Sequence, residues 1–180
     1  TPNMGVEIVA ALEAAMADSD VRVVILTGRG AAFCAGVDLD FMKAYMAGED
    51  TGPGPTLGEE HLVNGWALDV VAYPKPVIAA LNGTAYGVGV TMTLGCDVRY
   101  AASSATLGLN FTTLGVLPGL GSTHHLPQLV GIGKALELIL SGAKISAEDA
   151  CAMGLVQRVC APGEVYNEAR NLALAMAKVK

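Results

Sequence analysis

Charge is scarce in this chain of 180 residues: Asp, Glu, Lys and Arg make up 16% of it, against about 25% in an average globular protein. With 52% hydrophobic residues, an intrinsically disordered chain is excluded, because disorder needs the reverse composition. Basic residues are the scarcer sign, 11 against 17 acidic, for a net charge of -6. No Lys/Arg cluster is present, which argues against a nucleic-acid partner and against an anionic membrane surface. Long apolar runs are missing too. Mean hydropathy is +0.47, yet no run approaches the roughly 20 residues of a spanning helix. The longest, such as Val23 to Leu26 and Val77 to Leu81, are strand-sized. The four cysteines, Cys34, Cys96, Cys151 and Cys160, fit neither metal-ligand spacing nor a disulfide framework. They read as free thiols of an intracellular protein, with no metal site.

The length suits one domain, or one domain with an appended arm, and is enough to bury a core without staples. No signal peptide is read. The sequence opens on Thr1, as if inside a structural element, and is read as a segment of a longer protein. A chain this apolar and this sparsely charged is expected to hide part of its surface against copies of itself.

Val6, Val9, Ala10, Glu13 and Met16 recur at helical spacing, so residues 5–18 read as a helix. Val21 to Thr27 and Val77 to Leu81 read as buried strands, Asp97 to Ala101 and Val156 to Cys160 as two more. Gly28 to Gly36 and Gly48 to Gly58 read as loops, and Leu107 to Gly121 as loop-like. Helices are predicted over Asp38 to Met46, Glu59 to Tyr73, the small residues up to Gly95, Ser122 to Val130, Lys134 to Leu140, Ser146 to Gly154 and Glu164 to Val179. The alternation indicates an α/β fold.

Several chemistries are disfavoured. Gly28-Arg29-Gly30 lacks the third glycine of a dinucleotide fingerprint, and no phosphate loop or nucleophile elbow occurs. What recurs is a strand feeding a glycine-rich turn and a helix start, once around Ala35-Gly36-Val37-Asp38 and once around Gly87-Val88-Gly89. Two such turns converging would aim free backbone N–H groups at a developing oxyanion. Ordinary helix N-termini after tight turns are the plainer alternative.

Six collinear segments bear on that choice. Ala32-Phe33-Cys34-Ala35-Gly36-Val37-Asp38-Leu39 resembles the "AFxAGxDL" motif of the crotonase (enoyl-CoA hydratase/isomerase) superfamily. Lys75 to Gly83 is similar to its "KPVIAAVNG", Gly87 to Gly89 to its "GGG", and Cys96-Asp97 to its "CD". Leu114 to Gly119 resembles "LGxxPG", and Ser146 to Val156 resembles "SAxEAxxxGLV". The resemblance implies a crotonase-type spiral of ββα turns with flanking helices. Residues 1–160 would form the core and 161–180 the start of a C-terminal helical arm. It further implies acyl-CoA thioester substrates, no cofactor beyond the CoA of the substrate, and a homotrimer or dimer of trimers; with the composition already against a membrane or nucleic-acid partner, a cytoplasmic place is expected.

Carried over by position, the oxyanion donors are the backbone N–H groups of Val37 and Val88. Val88 stands where the family usually has Gly. Ala35, Gly36, Asp38, Leu39, Gly87, Thr91 and Phe111 would border the substrate. The two glutamates of the family's hydratases fall at Thr91 and Phe111, and neither can move a proton. Between Gly83 and Ala135 the only carboxylate is Asp97, read as structural. Plain hydration is therefore not expected. Decarboxylation of a malonyl-type thioester, or C–C hydrolysis, is the alternative on the same scaffold, and a non-catalytic acyl-CoA-binding subunit is another. A titrating group from elsewhere could be His124, His125, His61, Asp38 or Asp69, with Asn110 and Thr91 as polar positioners.

Overall fold

The computed structural model describes residues 1–49 and 61–179. From position 50 onward the expected loop of residues 48–58 lies outside the described residues. Strand β3, Val77–Leu81, is buried along its whole length. Val77, Ala79 and Leu81 face the main core, while Ile78 and Ala80 join a second core. Burial on both faces explains the unbroken apolar run, as parallel sheets require. β3 pairs in parallel with β1, Val24–Thr27, and with β5, Val98–Ala102, and β8, Arg158–Cys160, extends the sheet.

A second sheet holds β2, Ala32–Cys34; β4, Thr84–Tyr86; β6, Thr106–Gly108; and β7, Lys144–Ser146. Only its β6–β7 pair is antiparallel. From β1 to β6 successive strands alternate between the sheets, so the α/β chain winds as the expected spiral of ββα turns. None of these four strands is read from the sequence, which places β2 and β6 in loops. Three residues cannot display an alternation, and each strand owes its place to its neighbours in the sheet.

The helices are α1, Pro2–Ala17; α2, Leu39–Met46; α3, His61–Asn64; α4, Trp66–Val71; α5, Val88–Thr91; α6, Ser122–Val130; α7, Ile132–Ser141; α8, Ala147–Ala152; and α9, Val165–Met176. Two expected helices are shorter than the pattern suggests. The one over 59–73 breaks at Gly65, over which the His61 ring lies; a Cβ there would meet His61 Cε1. The one running to Gly95 stops at Thr91. Beyond it the Thr93, Leu94 and Cys96 carbonyls turn to the buried Arg99, whose Nη1 donates to them at 3.2, 3.4 and 2.6 Å. Arg99 Nε also donates to Leu155 O at 2.8 Å.

Asp97 ties the start of β3 in place: its Oδ2 accepts from Val77 N–H at 2.8 Å, and its N–H donates to Val77 O at 2.9 Å. Helix α9 closes the second core, burying Val165 and Ala169 against Ile78, Ala80, Tyr100 and Cys160.

Candidate active site

The site begins at the turn after β3. Asn82 Oδ1 accepts from Gly28 N–H at 2.9 Å, and its Nδ2 donates to Gly30 O at 2.9 Å and Ala32 O at 3.3 Å. One side chain thus fixes the loop that leads into β2. β2 runs beside β4, and a glycine of positive φ follows soon after each strand: Gly36 at 102° and Gly87 at 53°. Only glycine adopts these conformations readily. The residue after each glycine is Val37 or Val88. Among the described residues neither of their N–H groups donates a hydrogen bond.

The two turns are packed together. A Cβ on Gly36 would stand 3.0 Å from Tyr86 O, and one on Gly89 would stand 2.3 Å from Cys34 O. Two cavities share Gly36, Val37 and Val88 in their walls. The larger, about 110 Å³, is also bordered by Ala35, Leu39, Gly87, Asn110 and Phe111. Met42, Leu114 and Val116 complete it. The smaller, about 50 Å³, is bordered by Cys34, Asp38, Phe41 and the start of α1. So Ala35, Gly36, Val37, Leu39, Gly87, Val88 and Phe111 come together around one space, and Asp38 stands beside it. Asp38 Oδ1 accepts from Asp40 N–H at 3.0 Å and Phe41 N–H at 3.1 Å. It caps α2, a role that its place before a helix would suggest.

The remaining candidates lie apart. Thr91 is buried on α5 at 1% exposure, its Oγ1 without a hydrogen-bond partner among the described residues, and it borders neither cavity. His124 and His125 are on α6, also outside both linings. His124 Nε2 lies 3.0 Å from Gln128 Nε2. Burial, and then the neighbouring His124, push the pKa of His125 below the usual histidine range.

His61 and Asp69 belong to a different and larger cavity, about 410 Å³, between α1 and α4. His61 Nε2 and Asp69 Oδ2 are 2.5 Å apart, and Glu13 stands on the same wall. The two carboxylates of this cavity, Glu13 and Asp69, disfavour an anionic ligand there. The cavity of about 110 Å³ offers the free amide donors. Of its lining, Met42, Leu114 and Val116 were not singled out from sequence. Met42 follows Leu39 at i+3 on α2, a spacing that could have revealed it.

Two interleaved sheets wound as a spiral of ββα turns are the crotonase class of fold. Residues 1–180 match the family of the enoyl-CoA hydratases/isomerases. YngF of Bacillus subtilis (strain 168), which carries that family's name, is 43% identical over 161 residues, covering 89% of this chain and 60% of YngF. The 1,2-epoxyphenylacetyl-CoA isomerase of Escherichia coli (strain K12) is 38% identical over 162 residues, covering 89% of this chain and 60% of that protein. The crystal structure of enoyl-CoA hydratase subunit I from Geobacillus kaustophilus HTA426 superimposes with a TM-score of 0.85 at 38% identity. It covers 99% of this chain, which spans 66% of that one. The chain belongs to the enoyl-CoA hydratase/isomerase family, within the crotonase superfamily, and spans 60% of those two curated relatives.

Proposed function

We propose that the protein is an acyl-CoA enzyme that stabilises a thioester enolate between the backbone N–H groups of Val37 and Val88. The observation that carries this is the pair of unspent amides sharing one cavity. Donors fixed in place before reaction need no reorganisation as charge develops. Loss of one donor from such a hole costs about 10²–10³ in rate in a well-studied protease. Val88 keeps the N–H, and its side chain narrows the space relative to glycine. The turn from Ala35 to Leu39 would hold the CoA portion.

A second observation favours a particular chemistry. The described lining of the larger cavity has no carboxylate, imidazole or amine, and Phe111 stands where the resemblance places a hydratase glutamate. Decarboxylation of a malonyl-type thioester needs no base to begin. The bond from C2 to the carboxylate breaks, carbon dioxide leaves, and the electron pair passes into the enolate held by the two amides. A solvent proton then restores C2. The apolar Phe111 face disfavours the charged carboxylate and favours its loss.

The test is a panel of thioesters on the full-length protein. Release of carbon dioxide from malonyl-type thioesters, with little hydration of crotonyl-CoA, is expected. Rapid crotonyl-CoA hydration would overturn the decarboxylase reading, and failure to bind any acyl-CoA would overturn the enzyme. Assembly into homotrimers or a dimer of trimers belongs to the same proposal. Its support is an exposed apolar stripe, Ile132, Leu136 and Leu140, one turn apart along α7. Light scattering on the full-length protein tests it.

A further inference from the structure

We propose that Asn110 is a specificity-determining residue, whose carboxamide selects acyl thioesters carrying an oxygen on the third carbon of the acyl chain. It rests on the acyl-CoA reading above and narrows that reading to a substrate class.

Asn110 is the only described residue lining the larger cavity whose side chain is a strong hydrogen-bonding group. Its Oδ1 lies 3.5 Å from the point where a Cβ on Gly87 would stand, so the carboxamide crosses the residue just before Val88 N–H. The backbone beneath is held in place. Gly87 N–H donates to Gly108 O at 2.9 Å, and Asn110 O accepts from Thr113 Oγ1 at 2.7 Å. Among the described residues the carboxamide itself neither donates nor accepts. Thus an unspent amide, carried on a held backbone, stands in an otherwise apolar wall beside one of the two enolate donors.

That arrangement discriminates between ligands. An acyl group filling the cavity strips water from the carboxamide. A plain alkyl chain returns nothing for it, and an unpaired polar group is expensive to bury. A thioester whose carbonyl oxygen sits on the Val37 and Val88 N–H groups places its third carbon two bonds beyond C1. An oxygen there repays the lost water. A carboxamide both donates and accepts, so a hydroxyl, a ketone or a carboxylate each finds a partner. A malonyl-type thioester falls within this class.

The test uses three four-carbon thioesters, butyryl-CoA, 3-hydroxybutyryl-CoA and acetoacetyl-CoA, titrated calorimetrically into the full-length protein. Both oxygenated thioesters are expected to bind about tenfold or more tightly than butyryl-CoA. Asn110→Leu should bring all three within about twofold of one another and bind butyryl-CoA more tightly than the unmodified protein does, because the cost of stripping the carboxamide is gone. An unchanged circular-dichroism spectrum and thermal midpoint report that the variant is folded. Asn110→Asp gives an independent reading. A carboxylate accepts but cannot donate, so this variant should keep the preference for 3-hydroxybutyryl-CoA and lose that for acetoacetyl-CoA. Equal binding of the three by the unmodified protein, or a preference that survives Asn110→Leu, overturns the role of Asn110 alone. Binding of none of them overturns the acyl-CoA reading and this role with it.

Discussion

The α-carbon of Gly89 faces the carbonyl oxygen of Cys34 so closely that a Cβ would stand only 2.3 Å from it. The contact joins the end of β2 to the start of α5, so it sets the distance between the two free amides of Val37 and Val88. Backbone meets backbone here, so no side chain can swing aside. Gly89→Ala must move Cys34 away from α5, and Val37 with it. The expected cost is about 1–3 kcal/mol of stability, the usual range for overpacking. Turnover should fall by about 10², as for other displacements near 1 Å. Thermal unfolding and steady-state kinetics read the two effects. Gly133→Ala is the control, because nothing lies within 4 Å of a Cβ there and the residue is helical. It should be neutral or gain up to about 1 kcal/mol. Equal behaviour of the two variants would dismiss the contact.

His125 supplies a pH dependence. Burial is the larger cause of its lowered pKa and the adjacent His124 the smaller. The folded protein therefore binds fewer protons than the unfolded chain in the window just below the ordinary histidine value of about 6.5. Stability rises with pH wherever the unfolded state holds more protons. It should be fully present above that value and decline as the pH falls through the window. His125→Gln should flatten this part of the profile. Denaturant midpoints at neutral and mildly acidic pH check it, and equal slopes for both proteins would refute the assignment.

Val77–Leu81 is legible in sequence because both its faces are buried, which turns a strand into an unbroken apolar run. The amides of Val37 and Val88 are legible through the glycines before them and the motifs around them. The second sheet is not, since strands such as Ala32–Cys34 and Thr106–Gly108 are too short to show any period. Arg99 reads in sequence as an ordinary strand residue, yet it is buried at 3% exposure and caged by carbonyls. Asn110 is visible only as a polar residue nearby. Its place in the cavity wall follows from the pairing of β6 with β4, which no local pattern encodes.

The cysteines should differ sharply in reactivity. Burial pushes the Cys96 thiol up to about 12, the nearby Arg99 partly opposing and Asp97 adding to it. Burial raises Cys160 as well, Glu168 adding to the rise and Arg158 opposing it. The thiolate is the nucleophile, so both should resist alkylation in the folded protein. Cys34 and Cys151 are half-buried. Iodoacetamide should label these two first and reach Cys96 only on unfolding. Cys34 borders the smaller cavity beside Val37 and Val88, so bound acyl-CoA should slow its labelling and leave Cys151 unaffected. Peptide mass mapping over time decides it. Early labelling of Cys96 would contradict the burial assigned to it.

Phe111 and Thr91 stand where the resemblance places the hydratase glutamates, and the two sites should tolerate a carboxylate differently. Phe111 borders the larger cavity at 8% exposure, so a glutamate there can reach the open space. Thr91 is enclosed, and its hydroxyl already lacks a partner. A carboxylate at that position would be desolvated and held protonated. Crotonyl-CoA hydration by the unmodified protein should be slow. Phe111→Glu should raise it by about tenfold or more, in keeping with general base catalysis, while losing about 3–5 kcal/mol of core packing. Adding Thr91→Glu should bring little further rate and a further loss of stability. Thr91→Val should instead be neutral or stabilising, because it removes an unpaired buried hydroxyl. The loss of enoyl-thioester absorbance follows hydration directly. Rapid hydration by the unmodified protein would show that another group supplies the base, and the carry-over of both positions would then have no chemical meaning.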